Sequence, residues 1–480
     1  MPTYRTPDVY VEEISVFPPS VAEVETAIPA FIGYTEKAEK QANNDLVLKP
    51  TKIFSFKEYE DYYGYPKDDA IVLSVSDDGA GGFTVSSFSE PKIKYLLYYS
   101  VKMFFDNGGG QCYIVSVGIY QSTPTIDLVG KNDIAVVGPP IELEPIGTRY
   151  GLQDGLNVLK LEDEPTLIVI PEAVKLTDAE YTTLTQAVLL QCNTLGDRFA
   201  IFDIYDGTKD LTSGEQSTNR GYFGNNYLKY GAAYYPFVKT TMNFYVNSGE
   251  TNVDVIYGAN PVADLATFQT SDTGLYNFVK GVLKEHFVVL PPSGAVAGVY
   301  AATDTNRGVW KAPANVSLAN VIEPVIKLDN AKQDSLNVDA TSGKSIDAIR
   351  AFVGKGTLVW GARTLAGNDN EWRYVPVRRF FNMVEESVKK STYWAVFEPN
   401  DANTWVKVRG MIENYLIQKW REGALAGATT KDAFFVKCGL GTTMTSIDIL
   451  EGRMNVEIGM AAVRPAEFII LKFSHKLQTS

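Results

Sequence analysis

Histidine, the side chain used most often for acid–base chemistry near neutral pH, is rare in this chain, and its copies are far apart in sequence. Its 480 residues include two histidines, His286 and His475. A Ser-His-Asp site would depend on His286, with Ser293 and Asp304 as its nearest partners in sequence. His286 precedes the apolar run 287–290, which favours a structural or surface histidine, and His475 lies in a tail where a fixed geometry is hard to hold. The histidines therefore do not predict a catalytic site.

Nucleotide-binding and metal-binding patterns are also missing from the sequence. A P-loop needs a glycine five residues before its G-K-S ending. Here Gly343-Lys344-Ser345 supplies the ending, but Val338 occupies the glycine position. The cysteines form no C-x-x-C pair, which argues against a zinc site or a disulfide framework; they are Cys112, Cys192 and Cys438. We therefore expect no catalytic residue, metal or cofactor, and an assembly role instead of an enzymatic one.

The overall composition excludes further classes of function. The net charge is −13 and no basic block is visible, so a nucleic-acid partner is not expected. There is no run of 18 apolar residues to cross a membrane and no apolar core of a signal peptide near Met1. We expect the chain to be made and assembled in the cytoplasm, and its length predicts two or three domains.

A β-α-β unit is the clearest pattern of secondary structure. The apolar run Thr166–Ile170 predicts a buried strand, and Phe199–Asp203 predicts the next one. Between them, Thr177 and Glu180 have the spacing of a capping box that begins a helix. Because a strand–helix–strand crossover joins parallel neighbours, this unit predicts an α/β layer with parallel strands.

Other segments predict mixed structure. Apolar residues at spacings of three and four predict a helix from Ile93 to Phe105. Short strands and turn residues predict a β-rich insertion over 118–160, and the polar, glycine-rich stretch 246–275 predicts loops or a further insertion. After Leu358 the pattern becomes mixed. The predicted fold class is therefore α/β plus α+β.

A long amphipathic helix is predicted over about 404–422, and Gly423 can end it. One broad face is apolar and carries Trp405, Val408, Ile412, Tyr415, Leu416 and Trp420. The opposite face is polar and carries Lys407, Asn414, Gln418 and Arg421. By pattern alone, this polar face is either solvated or covered by a partner.

Both ends of the chain carry short strand-forming segments. A lone strand has little to pack on, so it must join a sheet of its own chain or of a neighbour. The last predicted strand covers 467–473. The residues expected to form these arms are Val9, Tyr10, Val11 and Glu12 at one end, and Phe468, Ile469, Ile470 and Leu471 at the other.

Long collinear strings of this sequence resemble the phage tail sheath family. From Pro291 onward they are Pro291–Tyr300, Arg307–Asn315, Leu358–Leu365, Glu371–Arg379, Trp394–Asn400, Trp420–Leu425 and Ala433–Cys438. Val9–Glu13 and Ala30–Thr35 resemble the family's N-terminal pattern. The family usually has Pro-Gly before its Val-Tyr, whereas this chain has Pro7-Asp8. That departure affects a local turn and leaves the strand pattern intact.

The resemblance implies a structural subunit of a contractile sheath. Such a sheath is a helical lattice of stacked six-subunit rings around an inner tube, and it contracts to drive the tube through a target cell envelope. The implied partners are further copies of the chain, the inner tube protein, and the baseplate and terminal cap proteins. The resemblance also implies terminal arms that add strands to neighbours' sheets, and a tube-attaching helix, for which 404–422 is the candidate.

The family resemblance also predicts how the chain is divided. We expect a linking arm at 1–22, a discontinuous α/β sheath domain at 23–117 and 161–363, and a β-rich outer insertion at 118–160. A C-terminal α+β domain facing the tube follows at 364–465, and a second linking arm at 466–480.

Some alternatives remain open from the sequence. The family's core has been likened to subtilisin in topology, so an α/β hydrolase is the alternative function. A type VI secretion sheath is a further possibility, but that sheath typically uses two chains. The sequence does not separate a virion tail from a released or anchored injection particle.

Overall fold

The computed structural model describes residues 20–120, 150–258, 262–468 and 470. They form two compact units: a larger one of Glu25–Met383 with the chain from Arg464, and a smaller one of Val384–Val463 with the chain up to Val24. The described strands are β1 Pro29–Thr35, β2 Thr51–Ile53, β3 Ile71–Asp77, β4 Phe83–Ser89, β5 Cys112–Ile119, β6 Leu167–Val169, β7 Phe199–Asp203, β8 Gly231–Tyr235, β9 Val238–Asn243, β10 Val253–Tyr257, β11 Ala263–Asp264, β12 Phe287–Leu290, β13 Val316–Ser317, β14 Val321–Pro324, β15 Asp347–Phe352, β16 Gly356–Val359, β17 Phe434–Lys437 and β18 Glu457–Met460.

The described helices, again in chain order, are α1 Phe56–Tyr63, α2 Leu97–Asp106, α3 Leu152–Val158, α4 Asp178–Leu195, α5 Ser213–Tyr222, α6 Leu265–Ser271, α7 Thr273–Leu283, α8 Ser293–Arg307, α9 Asn330–Asn337, α10 Val375–Ser391, α11 Ala402–Arg421, α12 Thr430–Ala433 and α13 Ser446–Leu450. Helices and strands alternate along much of the larger unit. The predicted mixed α/β class is therefore confirmed.

A nine-stranded sheet organises the described part of the larger unit, in the order β13-β16-β15-β8-β7-β6-β1-β5-β2. The neighbours from β15 to β5 pair in parallel, whereas β13, β16 and β2 pair antiparallel with their neighbours. Its central strands are buried along their length, as expected for parallel strands covered on both faces. A separate antiparallel sheet has the order β12-β9-β14.

The predicted β-α-β unit is confirmed by β6, α4 and β7. The backbone N–H of Thr177 donates to Glu180 Oε2 at 3.0 Å, and that of Glu180 donates to Thr177 Oγ1 at 3.4 Å. This capping box satisfies N–H groups that the first helical turn leaves without partners. Gly196 ends α4 in the left-handed conformation, with φ of 78°. The buried face of α4 carries the predicted Tyr181, Leu184, Val188 and Cys192.

The predicted start of the helix at Ile93 was wrong, because α2 begins at Leu97. Its first turn is capped from elsewhere by Glu172, a fully buried residue. Glu172 Oε1 accepts hydrogen bonds from the N–H groups of Leu96 at 3.0 Å and Leu97 at 3.3 Å. Glu172 Oε2 accepts from Tyr34 N–H on β1 at 2.9 Å. One buried carboxylate therefore joins α2 to the central sheet.

Two predicted insertions have more helix than expected. The stretch 246–275 was predicted as loops or a further insertion. It contains β10, β11 and α6, and its strands help to form a second sheet with the order β11-β10-β3-β4 and its own apolar core, so the loop alternative was wrong. The predicted β-rich stretch 118–160 contains α3, whose first turn is capped by Asp154 accepting from Gly151 N–H at 2.9 Å. Residues 121–149 lie outside the described residues.

The smaller unit contains α11, α12, α13 and the antiparallel pair β17–β18. The helix predicted at 404–422 is confirmed as α11. It begins after Asp401, whose Oδ1 accepts from the N–H groups of Asn403 and Thr404 at 2.9 and 3.0 Å. It ends before Gly423, which has φ of 86°.

Candidate functional site

The two faces predicted for α11 exist in the structure. Lys407, Asn414, Gln418 and Arg421 are all exposed. On the opposite face Val408, Ile412, Tyr415 and Leu416 are buried, and Trp405 and Trp420 are partly buried. Gln418 Nε2 donates to Glu422 Oε1 at 3.0 Å, one turn along the helix. The structure therefore presents the four predicted polar residues on one surface, and their contact with a tube stays a prediction.

The described start of the N-terminal segment is fixed on the smaller unit. The N–H of Ala22 donates to Ser391 Oγ, and the N–H of Val24 donates to Ser387 Oγ, both at 3.0 Å. Between them, Glu23 forms an ion pair with the buried Lys419, which also contacts Glu422 at 2.6 Å. The predicted arm residues Val9, Tyr10, Val11 and Glu12 lie outside the described residues.

The C-terminal arm residues that the structure describes are strongly exposed. Phe468 is 72% exposed and Ile470 is 80% exposed. Neither they nor Glu467 belong to a strand, whereas Ile469 and Leu471 lie outside the described residues. A strand needs a paired neighbour, and in the single chain this segment has none among the described residues.

The pair β17–β18 has two strands and no third described strand, although the chain just after β18 bridges to Leu425 through Ala462. Its register runs from Phe434 opposite Met460 to Lys437 opposite Glu457. An isolated two-stranded sheet is marginally stable, and its outer edges carry backbone groups that can pair with an added strand. This pair is a feature that sequence reasoning missed, although Ala433–Cys438 was among the resembling strings.

A second missed feature is an exposed apolar loop between α10 and α11. Phe397 is fully exposed and has φ of 68°, a conformation that bulky residues rarely adopt. Tyr393 is 61% and Val396 is 59% exposed. Contiguous exposed apolar side chains are typical of interaction surfaces. The signal in the sequence was the resembling string Trp394–Asn400.

The residues considered for a hydrolytic triad have different partners. The ring of His286 stacks on Phe88 with centroids 3.6 Å apart. Ser293 donates its backbone N–H to Asp203 Oδ1 at 2.8 Å. The carboxylate of Asp304 forms an ion pair with Arg379. Each candidate therefore serves a local structural contact.

The near-match to a P-loop also has a structural role. Lys344 Nζ donates to the backbone carbonyl of Arg220 at 2.8 Å, and Ser345 Oγ donates to that of Asn337 at 2.6 Å. Within residues 20–120, 150–258 and 262–468, no cluster of His, Cys, Asp and Glu is arranged to hold a metal ion. In the same ranges, no helix combines the length and apolar character needed to cross a bilayer.

Comparison with known sequences gives a match in the C-terminal part. Residues 367–476 match the family model of the phage tail sheath C-terminal domain. The tail sheath protein of Enterobacteria phage T4 is 28% identical over 130 residues, which are 26% of this chain. That match spans 19% of the T4 protein's length.

Comparison with solved structures extends the likeness to nearly the whole chain. The sheath complex of the extracellular contractile injection system PVC, in its contracted state, matches with a TM-score of 0.62, 29% identity and 99% coverage of both chains. A chain in the six-fold symmetrised baseplate of the anti-feeding prophage matches with a TM-score of 0.62, 29% identity and coverage of 99% of this chain and 100% of that one. The match at 367–476 and the whole-chain similarity of fold confirm the resemblance to tail sheath proteins that the sequence predicts.

Proposed function

We propose that this chain is the structural subunit of a contractile sheath that surrounds an inner tube and drives it through a target cell envelope. The observation that carries the proposal is the likeness, over 99% of both chains, to the sheath of the PVC injection system. The likeness to a chain of the anti-feeding prophage baseplate supports a contact between the sheath and a baseplate. The chain would be assembled in the bacterial cytoplasm and act in a virion tail or an injection particle.

Assembly would use strand addition between copies arranged in stacked six-subunit rings. The arm residues Val9–Glu12 and Phe468–Leu471 are strand formers at opposite ends of the chain. The pair β17–β18 offers outer edges without a described neighbour, so it is our candidate acceptor. Backbone pairing binds an extended segment without a large side-chain core, and such bonds can persist while subunits pivot.

The inner tube would lie against the polar face of α11. Lys407 and Arg421 are exposed cations, and Asn414 and Gln418 lie with them on the exposed surface. A surface of this kind can pair with carboxylates on a tube and orient the subunit by long-range attraction. The C-terminal region 364–465 would then be the tube-facing domain, with 23–117 and 161–363 as the sheath body.

The outer surface of the sheath would be formed by the insertions. The sheet β11-β10-β3-β4 has an apolar core separate from that of the nine-stranded sheet, as expected for an added subdomain. We place it with the insertion 118–160 on the outside, and the linking arms 1–22 and 466–480 between subunits.

We further propose that contraction needs no chemistry in this chain. An extended lattice held by the tube and baseplate can be metastable, and rigid subunits then repack into a contracted lattice of lower free energy. The alternative is an α/β hydrolase, and its candidate residues His286, Ser293 and Asp304 each have a separate structural partner. A His286→Ala variant that assembles and contracts normally would argue against that alternative.

The test is assembly with the inner tube protein from the same source. Purified chain mixed with preformed tubes is expected to give helical sheaths around the tubes in negative-stain electron microscopy. Exposure to mild denaturant is expected to convert long sheaths to shorter, wider ones. Tubes that stay bare, with the chain folded and monomeric by light scattering, would contradict the proposal.

A further inference from the structure

The described start of the C-terminal segment is held by one side chain. Phe468 and Ile470 are mostly exposed, and Ala466 is exposed as well. Within the described residues, the hydrogen bonds of residues 464–468 all belong to Glu467. The hydrogen bonds that hold this segment therefore come from one polar side chain, and most of its apolar residues are exposed.

The contact is a carboxylate bound by four donors, which we call the Glu467 clamp. Arg363 Nε donates to Glu467 Oε1 at 2.9 Å, and Arg363 Nη2 donates to Oε2 at 2.6 Å. Asn337 Nδ2 donates to Oε1 at 2.9 Å, and the Tyr374 hydroxyl donates to Oε2 at 3.2 Å. Paired hydrogen bonds from one guanidinium to both oxygens of a carboxylate are among the strongest and most directional in proteins.

Arg363 is itself fixed to the central sheet. It is 4% exposed, and its Nη1 also donates to the backbone carbonyl of Asn337 at 3.2 Å. Its backbone N–H donates to Asp347 Oδ1 at 2.9 Å, and Asp347 is the first residue of β15. Two steps of hydrogen bonding, from Glu467 to Arg363 and from Arg363 to Asp347, thus connect the C-terminal segment to a strand of the nine-stranded sheet.

Beside the clamp, the segment borders an open groove. The groove has a volume of about 530 Å³. Its lining includes Arg350 and Trp360 from the body, and Glu467 and Phe468 from the segment. Because space lies beside the segment, its direction depends on the clamp.

We infer that the Glu467 clamp is a positioning device that fixes where the C-terminal arm leaves the larger unit, and so presents the residues from Ile470 onward to a second copy of this chain. This inference rests on the proposed function. Adding a strand to a neighbour requires the arm to be ordered, and each residue ordered in advance lowers that entropic cost. A clamp anchored in the sheet would also carry tension from the arm into the rigid body of the subunit.

The variant Glu467→Gln tests the clamp with little change in size. The glutamine amide nitrogen would face an N–H donor of Arg363 or Asn337 in place of an acceptor oxygen. Glu371→Gln is the matched control, because Glu371 is an exposed glutamate of the same unit. A nitroxide spin label on Ile470→Cys, an exposed position, reports the mobility of the segment in the free chain, since the native cysteines are buried. Both variants are compared with the wild type by electron paramagnetic resonance of the labelled chains and by sheath assembly of the unlabelled chains on tubes.

We expect Glu467→Gln to shift the label spectrum towards narrower, more mobile lines, because the segment loses the paired hydrogen bonds that hold it. The Glu371→Gln spectrum should match that of the wild type, and sheath assembly should fall only for Glu467→Gln. An unchanged spectrum in Glu467→Gln would overturn the inference, as would a more mobile label with normal assembly. The wild type assembled in parallel separates the two proposals, since a wild type that forms no sheath contradicts the proposed function itself.

Discussion

Arg379 and Asp304 form an ion pair that is almost fully buried. Their side chains are 4% and 5% exposed, and Arg379 Nη1 and Nη2 donate to the two carboxylate oxygens of Asp304 at 3.0 and 2.5 Å. The guanidinium also lies over the ring of Tyr300, 4.7 Å from its centroid. Removing one partner leaves a buried charge without compensation, which is strongly destabilising.

Asp304→Asn is therefore expected to lower the free energy of unfolding by about 3–5 kcal/mol. Urea denaturation followed by tryptophan fluorescence measures the change. The control is Asp334→Asn, because Asp334 is exposed in the same unit and should change stability little. If Asp304→Asn lowered the free energy of unfolding no more than Asp334→Asn does, solvent would have to reach the ion pair of Arg379 and Asp304.

Asp347 makes stability depend on pH. Burial, and secondarily the charge of Glu467, raises the pKa of Asp347 to about 8, although the Arg363 N–H opposes the shift. The unfolded value is about 3.9, so the native state favours the protonated form. The contribution of Asp347 to the free energy of unfolding is therefore complete below about pH 4 and is lost as the pH rises towards 8.

Asp347→Asn mimics the protonated carboxyl and should remove this dependence. The melting temperature of the variant minus that of the wild type should increase from pH 4 to pH 8 and then level off. The corresponding free-energy gain is on the order of a few kcal/mol. A difference that does not vary with pH would refute the prediction, and Asp334→Asn is again the control.

The contacts of single residues could be predicted from the sequence where the two partners lie close together along the chain. Thr177 and Glu180 are three positions apart, so their capping box can be recognised from spacing alone. Glu172 caps α2 across 75 residues, and Arg363 reaches Glu467 across 104. No spacing rule covers such distances, which is why these two contacts required the structure.

The polar face of α11 is the element whose function is most directly testable. The double variant Lys407→Glu and Arg421→Glu should weaken sheath assembly on tubes, because it reverses the charge expected to meet acidic groups. Since these side chains are exposed, folding should be unaffected. The loss of assembly in this variant should be larger at low salt than at high salt, because charges act over a longer distance at low salt.

Assembly is measured by co-sedimentation of the chain with tubes over a series of salt concentrations. The control reverses Lys284 and Lys355, two exposed lysines of the larger unit, and carries the same change in net charge. If the two double variants assembled equally well, the proposal that α11 contacts the tube would be contradicted.

Elements were predictable where one pattern dominated a long stretch. The helix predicted at 404–422 matches α11 because its apolar face repeats over five turns. The short strands β17 and β18 have four residues each, too few for a pattern to stand out. Likewise β10 and α6 lie in a polar stretch, and only the packing of their apolar residues with β3 and α7 reveals a core.

The order of strands in the whole molecule could not be read from the sequence. A parallel layer follows from one β-α-β unit, but β15 pairs with β8 across more than a hundred residues. Which strands become neighbours depends on how much apolar surface the whole folded chain buries. Our proposal for assembly is similar in kind, since Phe468 and Ile470 have no strand partner among the described residues and the proposed partner is a second copy.

Deleting residues 1–16 separates folding of the molecule from its assembly. The contacts that fix the N-terminal segment on the smaller unit involve Ala22, Glu23 and Val24, all beyond the deletion. We therefore expect a soluble chain with a wild-type melting temperature. Without Val9–Glu12 it loses one of the two proposed linking arms, so negative-stain microscopy with tubes should show no continuous sheath.

Substituting the apolar arm residues Val9 and Val11 by proline, which blocks strand pairing without shortening the chain, should have the same effect. Normal sheaths from both variants would mean that the lattice is linked by other surfaces, such as the exposed loop at Tyr393–Phe397.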